Sequence, residues 1–393
     1  MKLTITNAKV VTPLETRADS SVHIKNGKIE AIGGPSSVDT EETTLDAQGA
    51  FLMPGIIDLH TDAMDVEIIP RPGADFPIEI AFHELERKMA GCGITTVFHS
   101  MYMGYEEAEK RARSKYSREE VFERVYQCSK RATHINNKIH LRYELPGTYH
   151  YDSVVDCLEK GYVDLLSVMD HTPGQGQVQS ERFIQIKMRD GWSREKAESE
   201  LQKEQSRDRI AGQKLTELID FALERQVPVA SHDDDSIEKV EAFFDMGVGI
   251  SEFPINTEAA RRAKELGMET VGGSSNILRG GSLSGNLGVT DAIKAGLIDS
   301  ICSDYYPPSI LHSIFKLERE GILSLSDAVN LASRNPARAV GLDHLTGSLE
   351  VGKNADLILV NVENEMPIVT HTIVNGHLTN QCQPQPQKEL AWQ

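Results

Sequence analysis

Eight short apolar segments, separated by segments with helical periodicity, constrain the fold of this chain most strongly. The apolar segments lie at residues 56–60, 95–99, 139–145, 163–169, 227–231, 248–253, 269–273 and 300–303. Helical segments fall between them, for example at 117–133, 215–225 and 257–266, and Thr257 is the predicted N-cap of the last. Eight strand–helix units with right-handed crossovers close most naturally into a (β/α)8 TIM barrel, an α/β fold. An open doubly wound sheet is the main competitor, but its Gly-rich phosphate-binding turn is missing after the first strand.

Both ends of the chain carry β-structure of a different kind. Short alternating segments near the start meet at Asn26-Gly27, and a matching pair near the end meets at Asn375-Gly376. Asn-Gly between two such segments is a strong hairpin signal. We therefore expect residues 1–54 and 345–385 to form one small composite β-sandwich beside a barrel at 55–344, followed by a polar tail at 386–393.

The first apolar segment of the barrel ends in His60-Thr61-Asp62. Because side chains alternate along a strand, His60 and Asp62 point to the same side and can bind one cation. Since reacting groups in a barrel come from the carboxyl ends of strands, further ligands are expected at the other strand ends. Those ends carry Glu144, Asp170, His171, His232, Asp233, Glu252 and Asp304.

Two divalent metal ions would give this centre hydrolytic chemistry, with zinc preferred and manganese or iron as alternatives. Two cations bridged by a carboxylate lower the pKa of a shared water and make hydroxide available near neutral pH. Asp304 is the predicted general base, which takes the proton of the attacking water and passes it to the leaving group. The predicted metal ligands are His60, Asp62, Glu144 as the bridge, His171, His232 and Asp304.

Other potential catalytic groups are weaker candidates. We expect structural or surface roles for His83, His99 and His134. No serine lies in a Gly-x-Ser-x-Gly elbow, and no cysteine has a local nucleophile signature. The sequence therefore favours metal-dependent hydrolysis over covalent catalysis.

Two Gly-rich segments near the predicted strand ends are suited to anions. Residues 272–286 combine glycines with Asn276, Arg279 and Ser282, and Arg71 lies in the stiff segment 70–73. Backbone amides, hydroxyls and guanidinium groups together can bind a phosphate. The charged segment 174–211 is expected to be an exposed helical excursion, and its position after a strand end would also suit a lid or a subunit interface.

The composition limits the partners of the protein. A net charge of -18 argues against nucleic acid and anionic membranes, because both favour a basic surface. Five scattered cysteines without a Cys-x-x-Cys pair fit a reducing cytoplasm. The start of the chain is more typical of a strand than of a signal peptide. We expect a cytoplasmic homodimer that binds a small anionic substrate through metal ions or arginines.

A series of motifs extends over nearly the whole chain. The most specific are His60-Thr61-Asp62 with Pro70-Arg71-Pro72, His140-Leu141-Arg142 with Glu144, Met169-Asp170-His171-Thr172-Pro173-Gly174-Gln175, Ser231-His232-Asp233-Asp234, Glu252-Phe253-Pro254, Arg279-Gly280-Gly281-Ser282 and Ser303-Asp304-Tyr305-Tyr306-Pro307. Together these motifs resemble the amidohydrolase superfamily. Within that superfamily the series is most similar to the family of α-D-ribose 1-methylphosphonate 5-triphosphate diphosphatases of phosphonate catabolism.

The resemblance implies hydrolysis of a ribose 5-triphosphate to 5-phosphoribosyl 1-methylphosphonate and pyrophosphate, by attack of a metal-bound hydroxide on the phosphorus nearest the ribose. Three positions that carry basic residues in this family read Glu67, Gly176 and Leu283 here. Hydrolysis of a cyclic amide, an N-acyl compound or another phosphate ester is therefore an alternative, and a catalytically silent barrel used as an assembly subunit is a further one. The substrate-binding candidates are Arg71, Asp170, Asp233, Glu252, Asn276, Arg279 and Ser282.

Overall fold

The structure of the protein, a computed structural model, describes residues 2–33, 43–71, 73–104, 115–176, 179–282 and 285–382. Pro72, Leu283 and the predicted tail lie outside these residues. The strands are β1 (Lys2–Val11), β2 (Thr16–Lys25), β3 (Lys28–Ile32), β4 (Thr43–Asp46), β5 (Phe51–Pro54), β6 (Ile56–Thr61), β7 (Ile94–Met103), β8 (Asn136–Glu144), β9 (Leu165–Met169), β10 (Val229–His232), β11 (Ile250–Glu252), β12 (Glu269–Gly273), β13 (Ser300–Cys302), β14 (Leu357–Glu363), β15 (Met366–Val374) and β16 (His377–Gln381).

Helices follow most of the barrel strands. They are α1 (Ala63–Ile68), α2 (Ile78–Gly91), α3 (Arg118–Ser129), α4 (Tyr151–Glu159), α5 (Ser180–Arg189), α6 (Arg194–Gln205), α7 (Gln213–Glu224), α8 (Ile237–Asp245), α9 (Thr257–Leu266), α10 (Ser274–Arg279), α11 (Val289–Lys294), α12 (Ser309–Arg319), α13 (Leu325–Asn330) and α14 (Arg334–Ala339). Within the described ranges, none of them has the length and apolar character that crossing a membrane requires.

Strands β6 to β13 form one parallel sheet in sequence order. Each overlaps one of the eight predicted apolar segments, so the barrel prediction is confirmed. Every residue of β6 and of β7 is buried. Strands covered on both faces become continuous apolar runs, which is why these segments were recognisable in the sequence.

The barrel closes between β6 and the residues that follow β13. The Asp304 N–H donates to the His60 carbonyl at 2.9 Å, and the Asp62 N–H donates to the Asp304 carbonyl at 2.7 Å. The Ser303 N–H donates to Asp58 Oδ1 at 3.0 Å. The backbone pairing that closes the barrel therefore places His60 and Asp62 beside Asp304.

Strands from both ends of the chain form a second, mixed sheet in the order β16-β15-β14-β5-β1-β2-β3, and β4 also pairs with β1. Its buried side chains, among them Ile5 and Leu357, form a core of their own. The two predicted Asn-Gly turns pack against each other, because a Cβ on Gly27 would lie 2.7 Å from the Asn375 carbonyl oxygen. The φ of Gly27 is +79°, which glycine adopts readily. The predicted combination of a barrel with β-structure from both termini is confirmed.

The charged excursion at 174–211 contains α5 and α6. The two helices share a small apolar cluster made by Ile184, Ala197 and Leu201, and most of their other side chains are at least partly exposed. Arg209 ties the end of the excursion to the end of β9, since its guanidinium lies 2.6 Å from Asp170 Oδ2. The expected helical excursion is therefore present, while the roles of lid and subunit interface stay predictions.

The predicted N-cap of α9 is wrong by one residue. Thr257 is the first helical residue, and the cap is Asn256, whose Oδ1 accepts from the Ala259 N–H at 2.8 Å. Asn is at least as good a cap as Thr, and Asn256 has the extended backbone that a cap requires. The Asn256 amide also donates to the Asp235 carbonyl at 2.7 Å, which connects α9 to the loop after β10.

Candidate metal centre

Four histidine rings form a row across the carboxyl-end mouth of the barrel. The ring centroids are 5.1 Å apart between His140 and His60, 5.7 Å between His60 and His232, and 5.2 Å between His232 and His171. His140, His60 and His232 are buried on β8, β6 and β10, and His171 follows β9. Because imidazole is a preferred ligand of zinc and other divalent transition metals, this row is the natural place to look for a metal centre.

The first ligand group consists of His60, Asp62 and Asp304, whose ligand atoms all lie within 4.8 Å of one another. Burial lowers the pKa of His60 well below its usual value, and the charge of Arg142 lowers it further. The neutral ring faces Glu252 with Nδ1 at 3.3 Å and Asp62 with Nε2 at 3.9 Å. A proton on Nδ1 that is donated to Glu252 leaves the Nε2 lone pair available to a cation.

The second ligand group consists of His171, His232 and Asp233. Asp233 Oδ2 lies 3.4 Å from His171 Nε2 and 3.5 Å from His232 Nδ1. Burial raises the pKa of Asp233, but the two histidines outweigh burial and hold the pKa below its usual range. Asp233 is therefore placed as a potential metal ligand, a role that the sequence did not predict for it.

Glu144, the predicted bridge, lies beside the second group. Its Oε2 is 2.7 Å from His171 Nδ1, and its Oε1 accepts from the His171 N–H at 2.6 Å. Burial lowers the pKa of His171, but Glu144 and Asp233 outweigh burial and raise it to about 10. The six predicted ligands thus fall into two neighbouring groups that the His60–His232 contact joins.

The donor atoms of the centre fit a divalent cation. Neither ring nitrogen of His232 has a hydrogen-bond partner among the described residues, and the same holds for Nε2 of His140. That Nε2 lies 3.7 Å from Glu252 Oε2, and His60, His140 and Glu252 form a third group of potential ligands. Buried polar atoms without partners are costly, so these ring nitrogens beside carboxylates are best satisfied by a bound metal ion.

Asp304 lies in an unusual backbone conformation at the end of the eighth strand. Its φ is +62°, and Asp233 and Phe253, which directly follow β10 and β11, have φ of +52° and +53°. Residues other than glycine rarely adopt such angles, and they concentrate at functional sites. Burial, together with the nearby charge of Asp62, raises the pKa of Asp304 to about 7, although Arg142 acts in the opposite direction. A carboxyl group of this kind can exchange a proton near neutral pH.

His140 and Arg142 belong to the site but are not among the predicted site residues, because they lie within a strand and not at its end. Both lie on β8 and alternate with Glu144, so all three point into the barrel. The Arg142 guanidinium is 2.6 Å from Asp62 Oδ1. The alternation of polar residues along 140–144 was the signal that could have identified them.

Several predicted substrate-binding residues are engaged within the protein. Asp170 accepts from Arg209 at 2.6 Å and from the Thr172 N–H at 3.0 Å. Asn276 Oδ1 accepts from the Val289 N–H at 3.0 Å, which fixes the segment before α11. Glu252 lies beside His60 and His140, two of the potential metal ligands. The contacts of Asp170, Asn276 and Glu252 with a substrate stay predictions.

A pocket adjoins Asp304 on the side of β11 and β12. Asn276, Arg279, Ser282 and Tyr305 are among its lining residues. Arg279 is exposed, and its guanidinium lies 3.4 Å from the Tyr305 hydroxyl. Arg279 and Ser282 therefore line the same pocket as Asp304, the predicted general base, and their role in binding an anion stays a prediction.

Arg71, Glu67 and Gly176 are not among the residues that line that pocket. The Arg71 side chain is exposed in the loop after α1. Glu67 pairs with Lys88 at 2.5 Å, and the Gly176 N–H donates to Asp235 Oδ2 at 2.9 Å. Leu283 lies outside the described residues.

Comparison with known proteins agrees with the geometry. Residues 257–379 match the model of the Amidohydrolase family. Over 378 residues the chain is 30% identical to the α-D-ribose 1-methylphosphonate 5-triphosphate diphosphatase of Escherichia coli (strain K12), a match that covers 95% of this chain and 98% of that protein. The chain belongs to the amidohydrolase superfamily. It is a hydrolase of this superfamily with a candidate metal centre at the expected end of the barrel.

Solved structures of amidohydrolases share the fold of the whole chain. Dihydropyrimidinase from Brevibacillus agri NCHU1002 aligns with a TM-score of 0.66 and 15% identity, over 96% of this chain and 95% of that one. L-Hydantoinase from Arthrobacter aurescens aligns with a TM-score of 0.64 and 16% identity, over 96% of each chain. At such low identity, this likeness concerns the fold alone.

Proposed function

We propose that this amidohydrolase hydrolyses α-D-ribose 1-methylphosphonate 5-triphosphate to 5-phosphoribosyl 1-methylphosphonate and pyrophosphate. The observation that carries the proposal is the end-to-end match with a diphosphatase for this compound, over 98% of that protein. Two neighbouring groups of metal-type ligands beside a pocket with Arg279 support it.

Two divalent metal ions are part of the proposal, with zinc preferred over manganese and iron. His60, Asp62 and Asp304 would hold one, and His171, His232 and Asp233 with Glu144 would hold the other. Such ions, when bound, lower the pKa of water and offset phosphate charge. Four of these seven residues are carboxylates, so the ligand set has the negative charge that divalent cations require.

Asp304 carries out the proton transfer in this scheme. Its carboxylate accepts a proton from the water whose oxygen bonds to the phosphorus nearest the ribose. The bond from that phosphorus to the oxygen bridging to the next phosphorus breaks, and pyrophosphate leaves with the electron pair. Asp304 then returns its proton to the leaving oxygen, so it ends the cycle as it began.

The loop at 279–282 is proposed to bind the departing phosphates. Arg279 is the one arginine that lines the pocket beside Asp304 among the residues that the structure describes. Ser282 and the neighbouring backbone amides supply further donors for phosphate oxygens. Arg142 and Arg209 are not proposed as phosphate ligands, since the guanidinium group of each pairs with a carboxylate at 2.6 Å.

Pyrophosphate release from the ribose triphosphate by the metal-loaded protein tests the proposal. We expect release by the wild type and loss of most activity in Asp304→Asn, which keeps the size of the side chain but not the base. A metal-loaded wild type that releases no pyrophosphate would falsify the substrate assignment. Arg279→Met should raise KM for the triphosphate more than it lowers kcat, because Arg279 binds the part of the substrate that does not react.

A second candidate function is hydrolysis of a cyclic amide, an N-acyl compound or a less charged phosphate ester. The observation that favours it is that Arg142 and Arg209 pair with carboxylates, so that among the described residues these two cations are not available to a triphosphate. Imidazolonepropionase from Picrophilus torridus matches over 89 residues at 34% identity, but this covers only 20% of the chain. Turnover of such compounds, with no turnover of the triphosphate, would establish this alternative.

A further inference from the structure

A separate cluster of potential ligands lies on the flank of the barrel. It consists of His83 and Glu86 on α2 and His134 just before β8, and its ligand atoms all lie within 4.8 Å of one another. The rings of His83 and His134 have centroids 5.3 Å apart, and His134 Nδ1 lies 4.0 Å from Glu86 Oε2. The sequence predicted only structural or surface roles for the two histidines.

This cluster, here named the flank cluster, shares no residue with the central groups. His134 lies two residues before the start of β8, so it is near the amino end of a barrel strand. The central ligands lie at the carboxyl ends of the strands. A ligand bound at the flank cluster would therefore use none of the residues of the candidate metal centre.

Glu86 is the unusual member of the flank cluster. Its side chain is 3% exposed, yet no Lys or Arg of the described residues forms an ion pair with it. The neighbouring Arg87 and Lys88 pair with Glu84 and Glu67 instead. A buried carboxylate is costly unless a cation or hydrogen bonds compensate its charge.

The two oxygens of Glu86 differ in what they contact. Oε1 accepts from the Asn137 amide at 2.8 Å and faces the His134 N–H at 3.5 Å. Oε2 faces the His134 ring. One oxygen is thus held by the protein, and this orients the other toward the imidazoles, as hydrogen bonds to ligating carboxylates do in metal sites.

We propose that His83, Glu86 and His134 bind a divalent transition metal ion, zinc foremost, as a site distinct from the central one. Two imidazoles and one carboxylate supply three ligands of a tetrahedral zinc site and leave one position for water. His83 is exposed, so the ion can enter from solvent. The bound ion joins α2 to the segment before β8 and compensates the charge of Glu86.

Zinc binding by the full-length protein tests this proposal. Zinc per chain is measured by equilibrium dialysis against zinc chloride for the wild type, His83→Ala, His134→Ala and a control, His344→Ala. His344 is an exposed histidine outside every ligand cluster found among the described residues. We expect the wild type and the control to bind one zinc ion more than either flank variant, and their Tm to rise more with added zinc.

The variant His60→Ala separates the two sites. It should lose zinc from the central groups and keep the zinc that His83→Ala removes. Equal zinc content in the wild type, His83→Ala and His134→Ala would overturn the proposal. It would also be overturned if removing His83 altered stability only at acidic pH and without any dependence on zinc, because the histidines would then serve Glu86 as protonated partners.

Discussion

The guanidinium of Arg142 lies among the carboxylates of the candidate metal centre. Asp62 is its direct partner at 2.6 Å, and the charges of Glu252, Asp304 and Glu144 also act on it. Arg142 holds Asp62 Oδ1, the oxygen that also lies 3.9 Å from His60 Nε2, and so fixes the orientation of this carboxylate beside the ring. Arg142 is therefore a positioning residue for the first ligand group, in the way that outer partners of metal ligands are.

Replacing Arg142 tests this role at the scale of one residue. We expect Arg142→Met to weaken metal binding or activity by about 10–100-fold, the usual effect of losing an outer partner. Arg142→Lys should retain part of the metal affinity or activity, because the positive charge remains although the planar guanidinium group is lost. Arg209→Met is the comparison variant, since Arg209 pairs at the same distance with Asp170, a carboxylate that is not itself a proposed metal ligand. Unchanged metal affinity in Arg142→Met would contradict the assignment.

His99 gives the fold a dependence on pH that is separate from the metal centre. Its Nε2 donates to Asn137 Oδ1 at 2.8 Å, and burial lowers its pKa to about 4 despite that contact. In the folded state the His99 ring stays neutral down to a pH of about 4. In the unfolded chain the same ring takes up a proton below its usual pKa of 6.5, and this favours unfolding. The stability that the neutral ring provides is thus present above pH 6.5 and is lost as the pH falls toward 4.

Urea unfolding of the wild type and His99→Gln at several pH values measures this contribution. Gln can still donate to Asn137 but does not titrate. Between pH 7 and pH 4 we expect the wild type to lose about 2–3 kcal/mol more than the variant. The other buried histidines are common to both proteins and cancel in the difference. Parallel pH profiles would show that His99 titrates normally in the folded state.

At the scale of elements, the sequence carried information about local structure and little about pairing. The segments of β6 to β13 were recognisable because strands buried on both faces are continuously apolar. Thr257 is the predicted cap, but Asn256 beside it is equally suited, and only the hydrogen bond from Ala259 decides between them. The parallel pairing of β1 with both β4 and β5 depends on contacts distant in sequence, which local patterns cannot indicate.

A pair of alanine substitutions distinguishes the two cap assignments. Asn256→Ala should reduce the free energy of unfolding by about 1 kcal/mol, the usual value of a cap. Thr257→Ala, one residue further on, should change it by less than about 0.5 kcal/mol. Equilibrium denaturation measures both. A larger loss of stability for Thr257→Ala than for Asn256→Ala would show that Thr257, the predicted residue, is the cap.

At the scale of the whole molecule, barrel closure and metal binding are linked. The backbone bonds that join His60 and Asp62 to Asp304 are also the bonds that bring the first and eighth strands together. The sequence could place these residues at strand ends, but not the row of four rings, whose spacing depends on closure of the barrel. The homodimer, the cytoplasmic location and the anionic substrate stay predictions.

Metal analysis of the purified protein tests the central claim most directly. The measurement uses His83→Ala as the parent, so that the flank cluster does not contribute. We predict about two divalent ions per chain in this parent and a clear loss in the double variant His60→Ala/His83→Ala, because His60 is a ligand of the first central group and contacts His232 of the second. A parent that binds no divalent ion when grown and purified with zinc, or a double variant with the same metal content, would contradict the account.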